Sequence, residues 1–412
     1  MVAWKSALPL LFAAALIIFE ERVSVPSCKI VSVDRNDSSK IQKNGEDLKV
    51  MMVADLLLTG SEAGYTSLYF RDSYMAKFLR KSFERVKPDM LVVLGDVSAK
   101  GSELTNIKWI SVLQQFQRML DPFLGLPLHI VLGDRDVGDC SKINSKSVHR
   151  MANSLPGLDS AGCGAFEVSN ISFISLNAVA MLCSSNDLRF SVETVIERES
   201  LDLRNHAKET TDVLSEPVKW RDDFENFHWR ENPMASSSGP VLLLHFPLHR
   251  TSRICEGTNF PTTNLGQSHH ESSRKPEHRG FVGAGPYEFF HTVPPNVTEY
   301  IFQALRPRIV FSAHTHHFCE HIHQDGTREV TVPAMTWFAR DDPGFVVVTF
   351  GPDHSMTVSQ CSLARESHVL MAYASVLVLL VSTILIASRS RMLVWANDLR
   401  HLTLPHGGYR GS

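Results

Sequence analysis

The sequence has no CxxC pair, no block of basic residues and no internal repeat. The cysteines lack the paired spacing of a cysteine zinc site, and they are spread over positions 28, 140, 163, 183, 255, 319 and 361. The net charge is −3 and the basic residues are scattered, so we expect no nucleic-acid partner. With 412 residues, 43% apolar and 21% charged, the chain can bury a sizeable core.

Charged residues are also missing from residues 369–387 (VLMAYASVLVLLVSTILIA). About 20 apolar residues suffice to span a bilayer as a helix, and a soluble core helix would show a polar stripe that this run lacks. Arg389 and Arg391 follow the run, and basic residues favour the cytosolic side. We therefore expect a membrane-embedded protein with a transmembrane helix over 368–388 and a cytosolic tail over 389–412.

The N-terminal residues 1–24 contain a shorter apolar run, which predicts a signal peptide or a signal anchor. Residues 25–367 would then form a domain in the secretory lumen, where disulfides are stable. Glycosylation sequons at Asn36, Asn170 and Asn296 are compatible with this location. The odd number of cysteines leaves at least one thiol unpaired or paired to another chain.

Short apolar runs that end in Asp or His alternate with helical patterns, which predicts an α/β fold. The runs are MMVAD, MLVVLGD, LHIVLGD, VLLLH and RIVFSAH. Helices are expected over residues 68–86 and 104–120, the second with Ile107, Ile110, Leu113, Phe116 and Leu120 on one face. Later hairpin patterns, with a turn at Asp325 and Gly326, predict a second, more antiparallel sheet. Loop insertions are expected over about 197–239 and 257–285.

The polar residues that close these runs predict a metal site. Parallel strands bring their carboxyl ends to one rim of a sheet, which would gather Asp55, Asp96, Asp134, His245, His314 and His316. Taken singly, an Asp after a strand is usually a cap, and a His is usually a surface or core residue. The ordered set favours one or two divalent ions, manganese, zinc or iron, with mixed oxygen and nitrogen ligation.

These blocks resemble the calcineurin-like metallophosphoesterase superfamily, whose motifs run DxH, GDxxDxG, GNHD, a lone His and GHxH. Here they read DLL from Asp55, GDVSAKG from Gly95, GDRD from Gly133, LLHFPLHR around His245 and AHTHH from Ala313. The stretches HFPLHR, PRIVFSAHTHHFCE and VPAMTWFARDDPGF are most similar to the endoplasmic-reticulum phosphodiesterases that remove ethanolamine phosphate from GPI anchors. The resemblance implies a sandwich of two mixed β-sheets flanked by helices.

The resemblance also implies a role for each ligand. Asp96 would bridge two metals; Asp55 and His316 would hold the first, and Asp134, His245 and His314 the second. The sequence departs from the pattern at Leu57, where the family has a metal-ligating His, and at Asp134, where it has Asn. Ala99 replaces the second Asp of GDxxDxG.

Arg135 replaces the His of GNHD, a residue that assists the leaving group. A guanidinium is a poor proton donor, but it can bind phosphate oxygens in a bidentate manner, so Arg135 is our catalytic candidate. His249, His317 and a metal-bound water are alternative proton donors. Three hypotheses follow: a lumenal phosphodiesterase acting on GPI lipid or GPI-anchored proteins, a GPI-binding or cargo-sorting protein without catalysis, and a phosphatase for another lumenal ester. The sequence leaves the oligomeric state open.

Overall fold

The computed structural model describes residues 2–34, 47–183, 187–209, 239–250, 292–352 and 355–402. The chain divides into two compact units. One unit comprises residues 25–363, and the other comprises the two terminal segments, 1–24 and 364–412.

Strands and helices alternate over the first half of the larger unit, as the sequence predicts. Within the described residues the strands are β1 (Ser27–Asp34), β2 (Leu48–Val53), β3 (Met90–Leu94), β4 (Leu128–Val131), β5 (Gly164–Val168), β6 (Ile171–Ser175), β7 (Val241–Leu243), β8 (Ile309–Ser312), β9 (Cys319–Ile322), β10 (Arg328–Thr331), β11 (Gly344–Phe350) and β12 (Met356–Ser362). The helices are α1 (Val2–Val23), α2 (Asp72–Val86), α3 (Asn106–Met119), α4 (Asp134–Val137), α5 (Ser145–Ala152), α6 (Ala178–Leu182), α7 (Asp187–Glu209), α8 (Pro295–Leu305) and α9 (Glu366–Leu402).

The strands form two mixed sheets, with the orders β1-β12-β11-β2-β3-β4 and β5-β6-β7-β8-β10-β9. Strands β2, β3 and β4 are parallel in the first sheet, and β6, β7, β8 and β10 are parallel in the second. This confirms the expected α/β fold of two mixed sheets. A second sheet is present, as expected, but it is not the more antiparallel one, because hairpin β11–β12 joins the first sheet while hairpins β5–β6 and β9–β10 join the second.

Both sheets contribute side chains to one apolar core, which includes Met52, Val92, Leu243 and Phe311. The alternate residue Leu91 is also fully buried, so the first sheet is covered on both faces. Continuous apolar runs, rather than alternating ones, are typical of strands in this position.

Helix α3 forms where the periodicity predicts it, but of the predicted face only Phe116 and Leu120 are buried. Ile107 is 82% exposed and Ile110 is 52% exposed. The buried stripe consists of Trp109, Val112, Phe116 and Met119. Two interleaved apolar sets share this helix, and local spacing cannot decide which set meets the neighbouring layers.

Part of the first expected loop is helical, because α7 continues to Glu209. The remainder of that insertion lies outside the described residues, except for its last position, Gly239. The insertion at 257–285, the sequon at Asn36 and Cys255 also lie outside them. The other sequon asparagines, Asn170 and Asn296, are exposed.

The terminal unit contains α1 and α9, and the expected apolar run forms part of α9. Residues Glu366–Arg389 have a mean hydropathy of 2.6 and are long and apolar enough to cross a membrane by length and composition. The helix continues to Leu402, so the expected tail begins as helix. Within this unit the rings of Phe19 and Tyr373 meet edge to face at 6.4 Å.

Disulfides link distant parts of the larger unit. Cys28 and Cys361 are directly opposite each other on β1 and β12 and are bonded. Cys140 is bonded to Cys183, and Cys319 is also disulfide-bonded. Cys163 is a buried free cysteine. These bonds agree with an oxidising compartment.

His129 makes stability sensitive to pH. Its Nε2 lies 2.7 Å from Ser175 Oγ, which connects β4 to β6, and its Nδ1 has no partner. Burial lowers its pKa to about 3. The unfolded chain takes up this proton near pH ~6.5, so the free energy of unfolding should fall below that pH, by up to about 1.4 kcal/mol per pH unit from this residue.

Replacing His129 with Gln should reduce that slope, measured by urea unfolding of the full chain in detergent between about pH 7 and about pH 5. The exposed His149 on α5 provides the control His149→Gln, which should keep the wild-type slope. A slope unaffected by His129→Gln would contradict this account.

Candidate metal centre

The predicted ligands follow the carboxyl ends of strands from both sheets. Asp55 follows β2, Asp96 follows β3 and Asp134 begins α4 just after β4, all in the first sheet. His245 follows β7 and His314 follows β8, both in the second sheet. The sequence predicted this convergence at a single sheet rim. The structure instead places it where the carboxyl ends of two packed sheets meet.

The backbone is strained at these positions. Five non-glycine residues of the site have positive φ: Asp55 (52°), Leu57 (53°), Asp96 (50°), His314 (64°) and His316 (61°). Each such conformation is unfavourable for a residue with a side chain, and such strain clusters at functional sites. The surrounding structure therefore holds these side chains in place at a cost in stability.

One group of ligands converges tightly. Asp134 Oδ1 lies 3.2 Å from His245 Nε2 and 3.2 Å from His314 Nδ1. Asp96 Oδ1 lies 3.6 Å from the same His245 nitrogen. His245 Nδ1 lies 2.8 Å from the carbonyl of Leu94, to which it can donate. A proton on Nδ1 leaves Nε2 with a free lone pair, as metal-ligating histidines require.

Asp55, Asp96 and His245 form a second group whose ligand atoms lie within 4.8 Å of one another. Asp55 is fully buried; its Oδ2 lies 2.9 Å from His316 Nδ1, and its Oδ1 has no hydrogen-bond partner. A buried carboxylate oxygen without a partner is costly, and a bound cation would stabilise it. His316 belongs to neither converging group among the described residues.

Neighbouring charges shift the protonation of the metal-free site. Burial opposes protonation of His245, but Asp96, Asp134 and Asp55 together raise its pKa to about 10. Burial raises the pKa of Asp96, whereas hydrogen bonds from His245 and His314 outweigh burial and lower the pKa of Asp134. A proton and a metal ion therefore compete for His245, because only the neutral ring coordinates a metal.

Arg135 lies against the ligand that the family uses as a bridge. Its backbone N–H donates to Asp96 Oδ1 at 3.0 Å, and its Nε lies 3.4 Å from Asp96 Oδ2. The side chain is 39% exposed, so part of the guanidinium remains accessible to solvent. It therefore neutralises a buried carboxylate and still offers N–H donors to an incoming anion.

Asp136 is a supporting residue to which the sequence analysis gave no role. Its carboxylate accepts backbone N–H groups of Val97, Ser98 and Gly133 at 3.3, 2.9 and 3.1 Å. These bonds join the loop that carries Asp96 to the loop that carries Asp134. Burial raises the pKa of Asp136 to about 6. The last position of the GDRD block was the signal that could have revealed it.

Arg340 is a second supporting residue. Its Nη1 donates to the carbonyl of His316 at 2.6 Å and lies 2.6 Å from His317 Nδ1, while Asp342 Oδ1 accepts from Nε at 2.9 Å and from Nη2 at 2.6 Å. Arg340 thus holds the loop that carries His314 and His316. The stretch VPAMTWFARDDPGF contains this residue, but the motif alone does not reveal its contact.

The donor set fits a divalent ion beside Asp134, His245 and His314, whose ligand atoms lie within 4.8 Å of one another, with Asp96 Oδ1 3.6 Å from His245 Nε2 as a further oxygen. Glycines make room for this arrangement. A Cβ at Gly133 would collide with the carboxylate of Asp96, and a Cβ at Gly95 would collide with the ring of His245.

The chain is similar in sequence to proteins named as metallophosphoesterases. No family model matches the chain. Metallophosphoesterase 1 homolog from Drosophila melanogaster is 25% identical over 332 residues, which cover 80% of this chain and 79% of that protein. Metallophosphoesterase 1 from Mus musculus is 27% identical over 350 residues, covering 82% and 78%.

Among solved structures, a dimetal phosphatase from Danio rerio is 12% identical with a TM-score of 0.39, covering 74% of this chain and 95% of that chain. The two sequence relatives confirm the resemblance to metallophosphoesterases. Together with the converging carboxylates and imidazoles, they support a phosphoric ester hydrolase that binds divalent metal ions.

Gly133→Ala tests whether the tight group binds metal. Gly133 has a φ of −102°, which alanine also adopts, but a Cβ there would collide with the carboxylate and the backbone nitrogen of Asp96, so Asp96 should be displaced. We expect about 10- to 100-fold weaker metal binding, as when a support of a ligand is lost. Titration calorimetry with Mn²⁺ on the full chain in detergent measures this. Gly64→Ala, where a Cβ meets nothing within 4 Å, is the control and should bind as wild type. Equal affinities in the two variants would contradict the assignment.

Proposed function

We propose that this relative of the metallophosphoesterases is a metal-dependent phosphodiesterase of the secretory pathway that removes ethanolamine phosphate from the GPI-anchor glycan. The observation that carries the proposal is the convergence of five side chains into two ligand groups. One group is Asp134, His245 and His314, the other is Asp55, Asp96 and His245, and the two groups share His245. Two sequence relatives over about four fifths of the chain support the same chemistry.

Asp96, Asp134, His245 and His314 would hold the ion. When bound, a divalent ion polarises a phosphoryl oxygen and neutralises charge that develops on it. The residues themselves supply orientation. The hydrogen bond of His245 to Leu94 fixes its ring, and the bonds to Asp136 fix the two loops that carry Asp96 and Asp134. The surrounding structure holds Asp55, Asp96 and His314 in unfavourable positive-φ conformations, which fixes the backbone of these ligands.

Arg135 would bind a phosphate oxygen, because its guanidinium is partly exposed beside Asp96. It cannot release a proton to the leaving alkoxide. His317 is exposed, and it can be neutral with Nδ1 accepting from Arg340, which leaves Nε2–H as a donor. Burial, followed by the charge of Arg340, lowers the pKa of His317, so the protonated ring that would act as the acid is scarcer than for an ordinary histidine. His249 donates its backbone N–H to Thr298 and is the weaker candidate.

The choice of a GPI substrate rests on the resemblance of HFPLHR, PRIVFSAHTHHFCE and VPAMTWFARDDPGF to the GPI-directed branch. These stretches supply supports of the site, since Arg250 binds Glu329 and Arg340 binds the His316 carbonyl. A lumenal location is supported by the disulfides, by the exposed sequon residues Asn170 and Asn296 and by the apolar segment of α9.

A second candidate is a GPI-binding or cargo-sorting protein without turnover. Two observations favour it: Leu57, 4% exposed, stands where the family has a ligand, and Arg135 stands where it has a proton donor. Losing a general acid typically lowers the rate by about 10²- to 10⁴-fold. Both candidates use the same crevice, so only turnover separates them.

Turnover of a phosphodiester by the purified full chain in detergent is the direct test. With Mn²⁺ present, we expect hydrolysis of bis-p-nitrophenyl phosphate, reduced at least about 10²-fold in His245→Ala because the ion loses a central ligand. His149→Ala on α5 is the matched control and should retain wild-type rates. Equal rates for wild type and His245→Ala would overturn the enzyme assignment.

The identity of the substrate can be tested in cells that lack the protein. They should retain ethanolamine phosphate on the GPI glycan, as read by mass spectrometry of released glycans, and wild type but not His245→Ala should restore trimming. A normal glycan in these cells would rule out the GPI substrate. Restored export of GPI-anchored proteins by His245→Ala would favour the binding protein.

A further inference from the structure

We propose that this chain holds one divalent ion tightly rather than two, and that the guanidinium of Arg135 supplies beside Asp96 the positive charge of the second ion. The inference refines the site on which the proposed function rests. It concerns the number of ions, which is measured independently of turnover.

Two groups of three ligand atoms converge, and both include His245. In the first group Asp134 Oδ1 lies 3.2 Å from His245 Nε2 and 3.2 Å from His314 Nδ1. Asp96 Oδ1, from the second group, lies 3.6 Å from the same His245 nitrogen and can add a fourth ligand to the first. His245 can serve one ion only, because its Nδ1 faces the Leu94 carbonyl and its Nε2 faces Asp134. Any ion on the Asp55 side therefore has to do without this imidazole.

The Asp55 side lacks a replacement for it. Leu57 is buried, and its apolar side chain offers no ligand where the family has a His. His316 is turned to Asp55 Oδ2 at 2.9 Å and joins neither converging group among the described residues. An ion there would rely on Asp55, a shared Asp96 and a partly exposed His316. Three such ligands, one of them shared, give weaker binding than four.

Both carboxylate oxygens of Asp96 already have partners, which leaves little room for Asp96 to bridge two ions. Its Oδ1 faces His245 and accepts the backbone N–H of Arg135, and its Oδ2 faces the Arg135 side chain. A bridging carboxylate would need one of these oxygens for a second divalent ion. That ion would lie beside a guanidinium that cannot lose its charge, and the two cations repel.

The charges of the resting site also balance with one ion. Asp55, Asp96 and Asp134, the carboxylates among the predicted ligands, carry three negative charges when ionised, and one divalent ion with Arg135 carries three positive charges. The remaining buried carboxylate at the site, Asp136, accepts three backbone N–H groups instead. Asp55 and Asp96 are 0% and 1% exposed, so their neutralisation has to come from groups inside the crevice. Asp55 Oδ1, which has no hydrogen-bond partner, is the oxygen that a second ion would bind. The number of ions bound per chain therefore tests the proposal directly.

The test counts ions in the full chain in detergent. Protein is loaded with Mn²⁺ and dialysed, metal content is measured by mass spectrometry, and the electron paramagnetic resonance spectrum is recorded. We expect one Mn²⁺ per chain with the spectrum of an isolated ion. Leu57→His combined with Arg135→His should raise the count to two and give the spectrum of a coupled pair.

Two control variants distinguish the effect of removing the positive charge of Arg135 from the effect of adding an imidazole. Arg135→Lys keeps the cation and should hold one ion. Arg80→His adds an imidazole at an exposed position of α2 and should also hold one. Where the double variant fails to fold, Arg135→Gln gives the same information, since removing the charge should admit a second, weaker ion at high Mn²⁺.

Two ions in wild type, none in wild type, or a folded double variant that stays at one ion would each overturn the inference. The same holds if Arg135→Gln binds no more ions than wild type. One ion without hydrolysis would leave the inference standing and remove the proposed function, whereas two ions with hydrolysis would do the reverse.

Discussion

Three carboxylates, those of Asp55, Asp96 and Asp134, share a crevice that is largely closed to water, and the rest of the site follows from this constraint. Like charges in such surroundings require nearby cations or hydrogen-bond donors. Arg135 and His245 supply positive charge to Asp96 and Asp134, and an ion would supply more. In the metal-free chain the same need raises the pKa of His245 to about 10, so metal binding and proton release are coupled.

A second buried network supports the histidine side of the crevice. Glu329 is fully buried and accepts hydrogen bonds from Ser312 Oγ at 2.6 Å and from the backbone N–H of Leu248 at 3.2 Å, and its Oε2 lies 2.8 Å from His323 Nε2. The Arg250 guanidinium neutralises it and, with these partners, lowers its pKa to about 2 despite burial. The network ties the segment after His245 to the strand before His314, because Leu248 lies on the first and Ser312 on the second.

At Leu57 and Arg135 the crevice departs from the pattern that the sequence resembles. Leu57 has a positive φ, and the backbone N–H of Arg135 donates to Asp96. Packing and hydrogen bonds therefore hold these loops without a ligand side chain at Leu57 or a proton donor at Arg135. An enzyme with one ion and a fixed guanidinium differs from the two-metal arrangement in how it would neutralise a phosphodiester.

The sequence by itself determined the α/β alternation, the order of the ligands and the apolar segment of α9. The spacing of apolar residues and the polar residues at strand ends are local properties of the chain. Tertiary structure decided the rest. It placed the predicted ligands at the carboxyl ends of strands in two sheets instead of one, and it placed hairpins in both sheets. It also buried Trp109 rather than Ile107 on α3. It also revealed the contacts of Asp136 and Arg340, which join segments that the chain separates. Such contacts depend on which elements become neighbours, and one sequence read locally does not contain that information.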